Sequence, residues 1–304
     1  MGDSLPIEGA VAPSPGAAWR SAPSIVGNRR VVVLRPPGSV FSALWPHLRR
    51  LPGYWDLLWT LTAHRIKVRY KQSLLGWAWA VLQPLLLMLI FTLLSSMTSS
   101  KVASGGVPYS LFVYAGVLPW SFFSTALANS TNSLVGQTAL VTKVWFPREI
   151  LPLSYVTAAL FDFLVASLLL VGLMLHNHVT PTPLVLLAIP LVALISVLAF
   201  ALGLALAAVQ VRYRDIGLAV PLLLQIWMFL SPVIYPFSQV PVAYRWLYQL
   251  NPMTGLVEGF RRVTVQGLSP DWHLALTSTL ICCGLLPVCY LYFKYVDATI
   301  ADRM

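Results

Sequence analysis

Long apolar runs broken by short polar stretches set the pattern of this chain. Six runs stand out, over about residues 74–97, 110–134, 151–175, 183–209, 216–235 and 272–293. A helix needs ~20 residues to cross the ~30 Å hydrocarbon core of a bilayer, and all six reach that length. The pattern therefore predicts six membrane-spanning helices, the second being the most polar. The polar breaks at 99–109, 136–149, 176–182 and 210–215 read as connecting loops. Ahead of the first run, Trp55, Leu58, Trp59, Thr62 and Ile66 recur at helical spacing along one face, and the segment ends in a basic cluster. Tryptophans on one side with a cationic end predict a helix over 52–70 lying in the membrane interface.

Residues 236–271 are punctuated by proline, too broken to span and too apolar for an ordinary loop. A pair of short helices dipping into the membrane face fits, provided protein or a wet cavity shields their backbone. Residues 1–50, rich in Pro, Gly, Ala and Ser over most of their length, read as a flexible cytoplasmic tail, with an extended piece at RRVVVLRPP (29–37). The expected fold is an all-α membrane protein. It has a tail over 1–50 and a transmembrane domain over 51–300, with six spans, an N-terminal interfacial amphipathic helix and short re-entrant outer helices before the last span.

Composition agrees, with 58% hydrophobic and 10% charged residues, against about 25% charged in soluble domains. The net charge of +10 does not point to nucleic acid, because the basic residues flank apolar runs instead of forming one polar face. Membrane lipids are the partner such flanks suit. With the N-terminus inside, all of the 20 lysines and arginines except Lys101, Arg245, Arg261 and Arg262 fall on the inner side. That bias predicts a multi-pass protein of the cytoplasmic membrane with both termini in the cytoplasm. The first 40 residues lack a basic segment followed by an apolar core, so no cleavable signal is expected. Cys282, Cys283 and Cys289 lie in the last run without metal-ligand spacing and read as packing residues.

The pattern offers no catalytic chemistry. There is no G-x-x-x-x-G-K-[ST] loop for a nucleotide, no Ser/His/Asp set, no paired carboxylates and no HExxH. Neither enzyme activity nor a metal site is expected; His176 and His178, together in one turn, are a weak basis for a membrane enzyme. Asp162 is the one acid well inside a run, where burial costs about 2.5–3.5 kcal/mol on insertion scales. It either carries protons in a secondary transporter or, the favoured reading, hydrogen-bonds to a neighbouring helix. KVWFPRE (143–149) packs three charges, two aromatics and a proline into seven residues. It suits a membrane border, with cations at the headgroups and Trp in the aromatic belt. It equally suits a protein contact with aromatic and arginine anchors on a stiffened backbone. In RYRDIG (212–217), Asp215 is expected to cap the helix that follows. Glu258 and Arg261, three apart, have the spacing of a helical ion pair.

Five blocks occur in an order that resembles a known family. They are HRIKVRYKQSLLGWAWAVLQPLLLMLIFTLL (64–94), LVTKVWFPREILPLS (140–154), RYRDIG (212–217), LSPVIYP (230–236) and LNPMTGLVEGFRR (250–262). Over about residues 50–300 the chain resembles the polysaccharide-exporting ABC-2 permeases, the O-antigen and teichoic-acid exporters among them. It departs at His64-Arg65, where members often carry Arg-Asp, and at Trp145, where Tyr is common.

The resemblance implies a homodimer that carries a dimer of soluble ABC ATPase subunits. ATP and Mg then belong to those subunits, and this chain holds no cofactor. The implied cargo is a polysaccharide linked to a polyprenyl diphosphate; an ABC exporter of a small lipid or drug is the alternative. Lys143, Trp145, Phe146, Pro147, Arg148 and Glu149 become the ATPase-docking segment, and Arg212, Arg214 and Asp215 a second cytoplasmic contact. Arg65, Lys67, Arg69 and Lys71 would receive the lipid diphosphate. Trp120, Phe123 and Trp227 are expected to line the channel, and Glu258 with Arg261 to form an outer gate.

Overall fold

The computed structural model describes residues 24–26, 29–31, 51–71, 73–97, 106–144 and 146–303, with side chains over 53–71, 73–97, 106–144 and 146–297. In the unit Met1–Arg50, strand β1 (Ser24–Val26) pairs antiparallel with β2 (Arg29–Val31). The rest of the expected tail lies outside the described residues.

The unit Leu51–Met304 is helical. Its elements are α1 (Trp55–Tyr70), α2 (Ala78–Met97), α3 (Tyr109–Thr131), α4 (Thr138–Lys143) and α5 (Ile150–His176). They continue as α6 (Ala188–Arg212), α7 (Ile216–Phe229), α8 (Arg245–Leu250), α9 (Pro252–Arg261) and α10 (Trp272–Arg303). Five of these are long and apolar enough to cross a membrane: α2, α3, α5, α6 with the short 3-10 turn before it, and α10. The ends of α3 and α6 meet α5's start, α7's start and α10's end at one pole, called here the basic pole. Residues 232–271 gather at the opposite pole.

Helix α3, the most polar of the long runs, is the centre of the bundle. Protein surrounds it on nearly every side, with α5 and α6 as its main neighbours and α2, α7 and α9 completing the shell. Its hydroxyls and small residues face other helices, not lipid, so it need not be greasy. Tyr114 donates to the Ala166 carbonyl at 2.8 Å and Ser130 to the Pro152 carbonyl at 3.1 Å. Gly203 of α6 brings its backbone against Ser130, where a Cβ would sit 2.6 Å from the Ser130 Cβ.

Three expectations are corrected. The run 216–235 does not hold one full-length span: α7 has 14 residues, about 21 Å at 1.5 Å per residue. Past Phe229 the chain bends into a turn closed by the Val233 amide on the Ser231 carbonyl at 2.7 Å, and Pro232 has no amide to continue a helix. The last run is longer than 272–293, because α10 continues as a helix to Arg303. The break 136–149, expected as a loop, contains the six-residue α4.

Segment 236–271, expected as re-entrant, contains two short helices, α8 and α9. Asn251 starts α9 by accepting the Met253 amide at 3.1 Å, with Pro252 in the first turn. Gly267 takes the left-handed conformation, φ 65°, that turns the chain back toward α10. Asp271 then accepts the His273 amide at 3.0 Å and starts α10.

The closest backbone approach involves α3. A Cβ on Gly116 would sit 2.2 Å from the Val233 carbonyl oxygen and 2.4 Å from Arg261 Nη2. Gly116→Ala is therefore expected to cost ~2 kcal/mol or more by overpacking, read as a lower Tm of the purified protein in detergent. Gly172→Ala, whose methyl meets nothing within 4 Å, should leave Tm unchanged or slightly raised. Equal behaviour of the two variants would contradict this packing.

Candidate functional site

At the basic pole, the segment 146–149 is stapled to the end of α10. Arg148 donates through Nη1 to the Asp297 carboxylate at 3.0 Å and to the Asp297 carbonyl at 2.7 Å. Glu149, 1% exposed, accepts from Lys294 at 2.9 Å and from the Tyr290 hydroxyl at 3.3 Å. Lys294 also lies 3.5 Å from Asp297. Phe146 is buried beside this network. Of the expected docking residues, then, Phe146 and Glu149 are buried and Arg148 is committed inside the chain. Pro147 is half-buried, and Trp145 lies outside the described residues. Lys143 and its neighbour Val144, 53% exposed, face outward from the end of α4. Tyr290, Lys294 and Asp297 are partners the sequence reasoning missed. In a chain with 10 acids, the Arg148-Glu149 pair and the Lys294/Asp297 spacing were the available cue.

The second basic-pole group stays open. Arg212, Arg214 and Asp215 are all exposed, with the Arg212 guanidinium 5.3 Å from the Tyr213 ring. Asp215 does occupy the position before α7, yet its carboxylate caps no amide. The capping expectation is corrected: the Asp215 backbone is already αR, and its side chain points to solvent, not to the first-turn amides.

Helix α1 packs along α5. The expected apolar face is split: Leu58 and Thr62 are buried, whereas Trp55 and Trp59 are 64% and 62% exposed. The same spacing continues through half-buried Arg65 and exposed Arg69, both of which reach α5. Arg65 donates to Ser154 at 2.8 Å and covers the Tyr155 ring at 3.4 Å; burial pulls its pKa below the ordinary arginine value. Arg69 pairs with Asp162, whose other oxygen accepts from Tyr70 at 2.7 Å. Burial and that carboxylate push the Tyr70 phenol up to about 12, so it stays a donor at neutral pH. Lys67 and Lys71 are exposed. Asp162 is thus hydrogen-bonded to a neighbouring helix, as favoured, and is not an isolated proton carrier.

The three expected channel aromatics meet in one cluster. Trp227 packs edge-on against Phe123 at 5.2 Å and Trp120 at 6.1 Å, and Trp120 lies 5.7 Å from Phe123. The Trp227 indole donates to Asn251 at 3.1 Å, and Asn251 donates to Ser231 at 2.8 Å, which ties the cluster to the start of α9. Trp120 and Phe123 are buried within this chain and Trp227 is half-buried. Close by, Arg261 and Glu258 form their ion pair at 2.8 Å. Arg261 is 0% exposed; it also donates to the carbonyls of Pro232 at 3.0 Å and Val233 at 2.6 Å and stacks on Phe112 at 3.9 Å.

Residues 56–265 match the ABC-2 type transporter family. The chain belongs to that family. Among its relatives is the O-antigen export system permease protein RfbA of Myxococcus xanthus, 35% identical over 228 residues that cover 74% of this chain and 86% of the relative. An O-antigen export system permease protein RfbA of Klebsiella pneumoniae is 28% identical over 218 residues, 71% of this chain and 83% of the relative. The polysialic acid transport protein KpsM of Escherichia coli is 25% identical over 218 residues, 68% of this chain and 80% of the relative. The family match runs from the second residue of α1 to four residues past the end of α9, so it spans α1's cations, segment 146–149 and the aromatic cluster. Only the α10 half of the basic-pole network lies beyond it.

That network is testable by charge exchange in this ABC-2 chain. Arg148→Asp alone should lower Tm by repulsion with Asp297, and Asp297→Arg alone likewise with Arg148 gone unanswered. The double exchange should recover part of the loss, with a coupling of about 1–3 kcal/mol. Strictly additive losses would mean that the two residues do not interact.

Proposed function

We propose that this chain is the transmembrane permease subunit of a two-component ABC exporter. It moves a lipid-linked polysaccharide, an O-antigen or similar surface glycan, out across the cytoplasmic membrane. The family supports a permease driven by a separate ATPase, and the names of the relatives supply the glycan class. The observation that carries the mechanical part is the basic-pole network. A contact pushed by a soluble motor has to be stiff behind and open in front. Lys143 and Val144 are open, while Arg148 and Glu149 brace the same segment against α10.

In this reading the basic pole is cytoplasmic and both termini lie inside, as the distribution of Lys and Arg requires. Segment 143–149 takes the push of the ATPase, with Arg212, Arg214 and Asp215 as a second exposed contact. Two copies of the chain form the pathway, and short α7 with its following turn completes the sixth crossing. The push passes along α5 and α10. Helix α10 packs on α9, which holds the Glu258–Arg261 pair at the outer pole, so displacement at one face reaches the other along one continuous helix. Trp120 and Phe123 are packed inside the chain, so of the three aromatics only half-buried Trp227 keeps an apolar face that suits a pyranose ring. Lys67 and Lys71, with Arg69 behind them, attract the lipid diphosphate at the inner headgroup level.

Val144→Glu tests the docking face without touching the braced residues. In the native host, a tagged wild-type chain should co-purify with a soluble ABC ATPase, and cells lacking the chain should lose surface glycan. The variant should recover at least tenfold less ATPase at an unchanged membrane level of permease. Recovery of the full amount would move docking away from this segment. Repeated recovery of the wild-type chain with no ATPase, or surface glycan intact without the chain, would overturn the reading.

A further inference from the structure

A cavity of about 470 Å³ opens between α1, α2, α3 and α5, with the Arg69–Asp162 pair in its wall. Asp162 lies 12 residues from the first residue of α5 and 14 from its last, about 18 and 21 Å at 1.5 Å per residue. Three of the four helices around the cavity, α2, α3 and α5, are long and apolar enough to cross a membrane, where unpartnered polar groups are costly. Its wall nevertheless carries several. Ser121 Oγ is buried with no hydrogen-bond partner among the described residues. Exposed Gln83 and half-buried Thr125 line the same space, with no side-chain hydrogen bond from either among the described residues. Pro84 has no amide to give the carbonyl of Ala80, and both residues border the cavity. Asp162 accepts one bond at each oxygen, from Arg69 and from Tyr70, and keeps further lone pairs. Arg69 gives Asp162 only Nη1 of a guanidinium with five N–H bonds. Trp79, half exposed, adds an aromatic face to the rim.

A hydroxyl pair, a carboxamide, a carboxylate and an aromatic plate are the complement of a sugar ring, whose hydroxyls both donate and accept and whose C–H face is apolar. The volume falls within the ~300–1,000 Å³ of small-ligand sites. A guanidinium at the edge suits a phosphate joined to that ring. We propose that this cavity receives the sugar next to the phosphate of a membrane-anchored glycosyl phosphate, with the phosphate held by Arg69. The site rests on the exporter reading given above and deepens it: the chain recognises the membrane-proximal unit of its cargo, in a place separate from the Trp120–Phe123–Trp227 cluster. The polar groups left unanswered by protein are answered by the sugar.

The test uses the full permease with its ATPase partner in nanodiscs. The probe is a polyprenyl-diphosphate disaccharide with a photoreactive group on its first sugar. The same lipid without sugar, bearing the group on its diphosphate end, and a photoreactive phosphatidylinositol serve as comparisons. The sugar probe should label peptides of α2 and α3 at least tenfold more than either comparison. Ser121→Ala with Thr125→Val, and separately Gln83→Leu, should each cut that labelling about tenfold while the protein elutes as the same species in gel filtration. Equal labelling by the sugar-free lipid would mean a hydrated or lipid-filled cavity only. Equal labelling by phosphatidylinositol would mean a general headgroup site, and either result overturns the proposal. So does labelling confined to other helices while the cells still export glycan. Loss of the exporter reading itself would show separately, as surface glycan that persists without the chain.

Discussion

The Arg261 guanidinium holds together the pole where the bundle is least regular. Helix α7 stops short, Pro232 cannot carry it on, and the carbonyls of 232 and 233 are left facing protein. A buried carbonyl without a partner costs about 1–3 kcal/mol, and a buried cation without an anion costs more. Arg261 answers both at once, because Glu258 neutralises it one helical turn away and Phe112 covers its face. Gly116 exists at the closest approach because no larger residue leaves room for the guanidinium. One side chain thus fixes where α7 ends, how α9 lies and why α3 carries a glycine in its middle.

The same rule organises the rest of the chain. In an apolar bundle each charge is either at a pole or answered by another charge. Asp162 is answered by Arg69, Glu149 by Lys294, and Asp297 by Arg148 and Lys294. These pairs are weak arguments for raw stability, since desolvation offsets much of the attraction. Their value is in register: apart from Lys294–Asp297 within α10, each joins segments far apart in sequence. In the exporter proposed above, a few fixed joints between otherwise smooth helices would let the bundle act as a lever.

Much of this was legible in the residue pattern, because membrane helices must be long and apolar. The edges of α3 and α5 fall within three residues of the expected runs, and α6 starts five residues later than its run because a 3-10 turn precedes it. Hydropathy failed where it was asked about packing. It could not show that α3 is the centre, since a protein-lined helix needs less grease than a lipid-lined one. It extended the fifth run through Pro232 to 235, although the chain turns after Phe229. On α1, counting apolar residues grouped Trp55 and Trp59 with Leu58 and Thr62; the stripe that packs on α5 is Leu58, Thr62, Arg65 and Arg69. Two arginines on a packing stripe were the cue, and the lone acid at 162 was their answer. The aromatics expected to line a channel instead pack on one another, with Trp120 and Phe123 buried, and the cluster's anchor, Asn251, was invisible because a cap and an indole partner share that one amide. Asp215 showed the opposite failure, the right residue at the right position with its side chain turned away.

The central claim is that ATP hydrolysis by a partner at the basic pole drives a lipid-linked glycan through this chain. The most direct measurement is transport in sealed vesicles holding the purified permease and its ATPase, with a fluorescent lipid-linked glycan placed on the side where the ATPase faces. The account predicts ATP-dependent appearance of the glycan at the opposite face, abolished when the ATPase cannot hydrolyse ATP and indifferent to a proton gradient. Movement that needs a proton gradient and no ATP would contradict it.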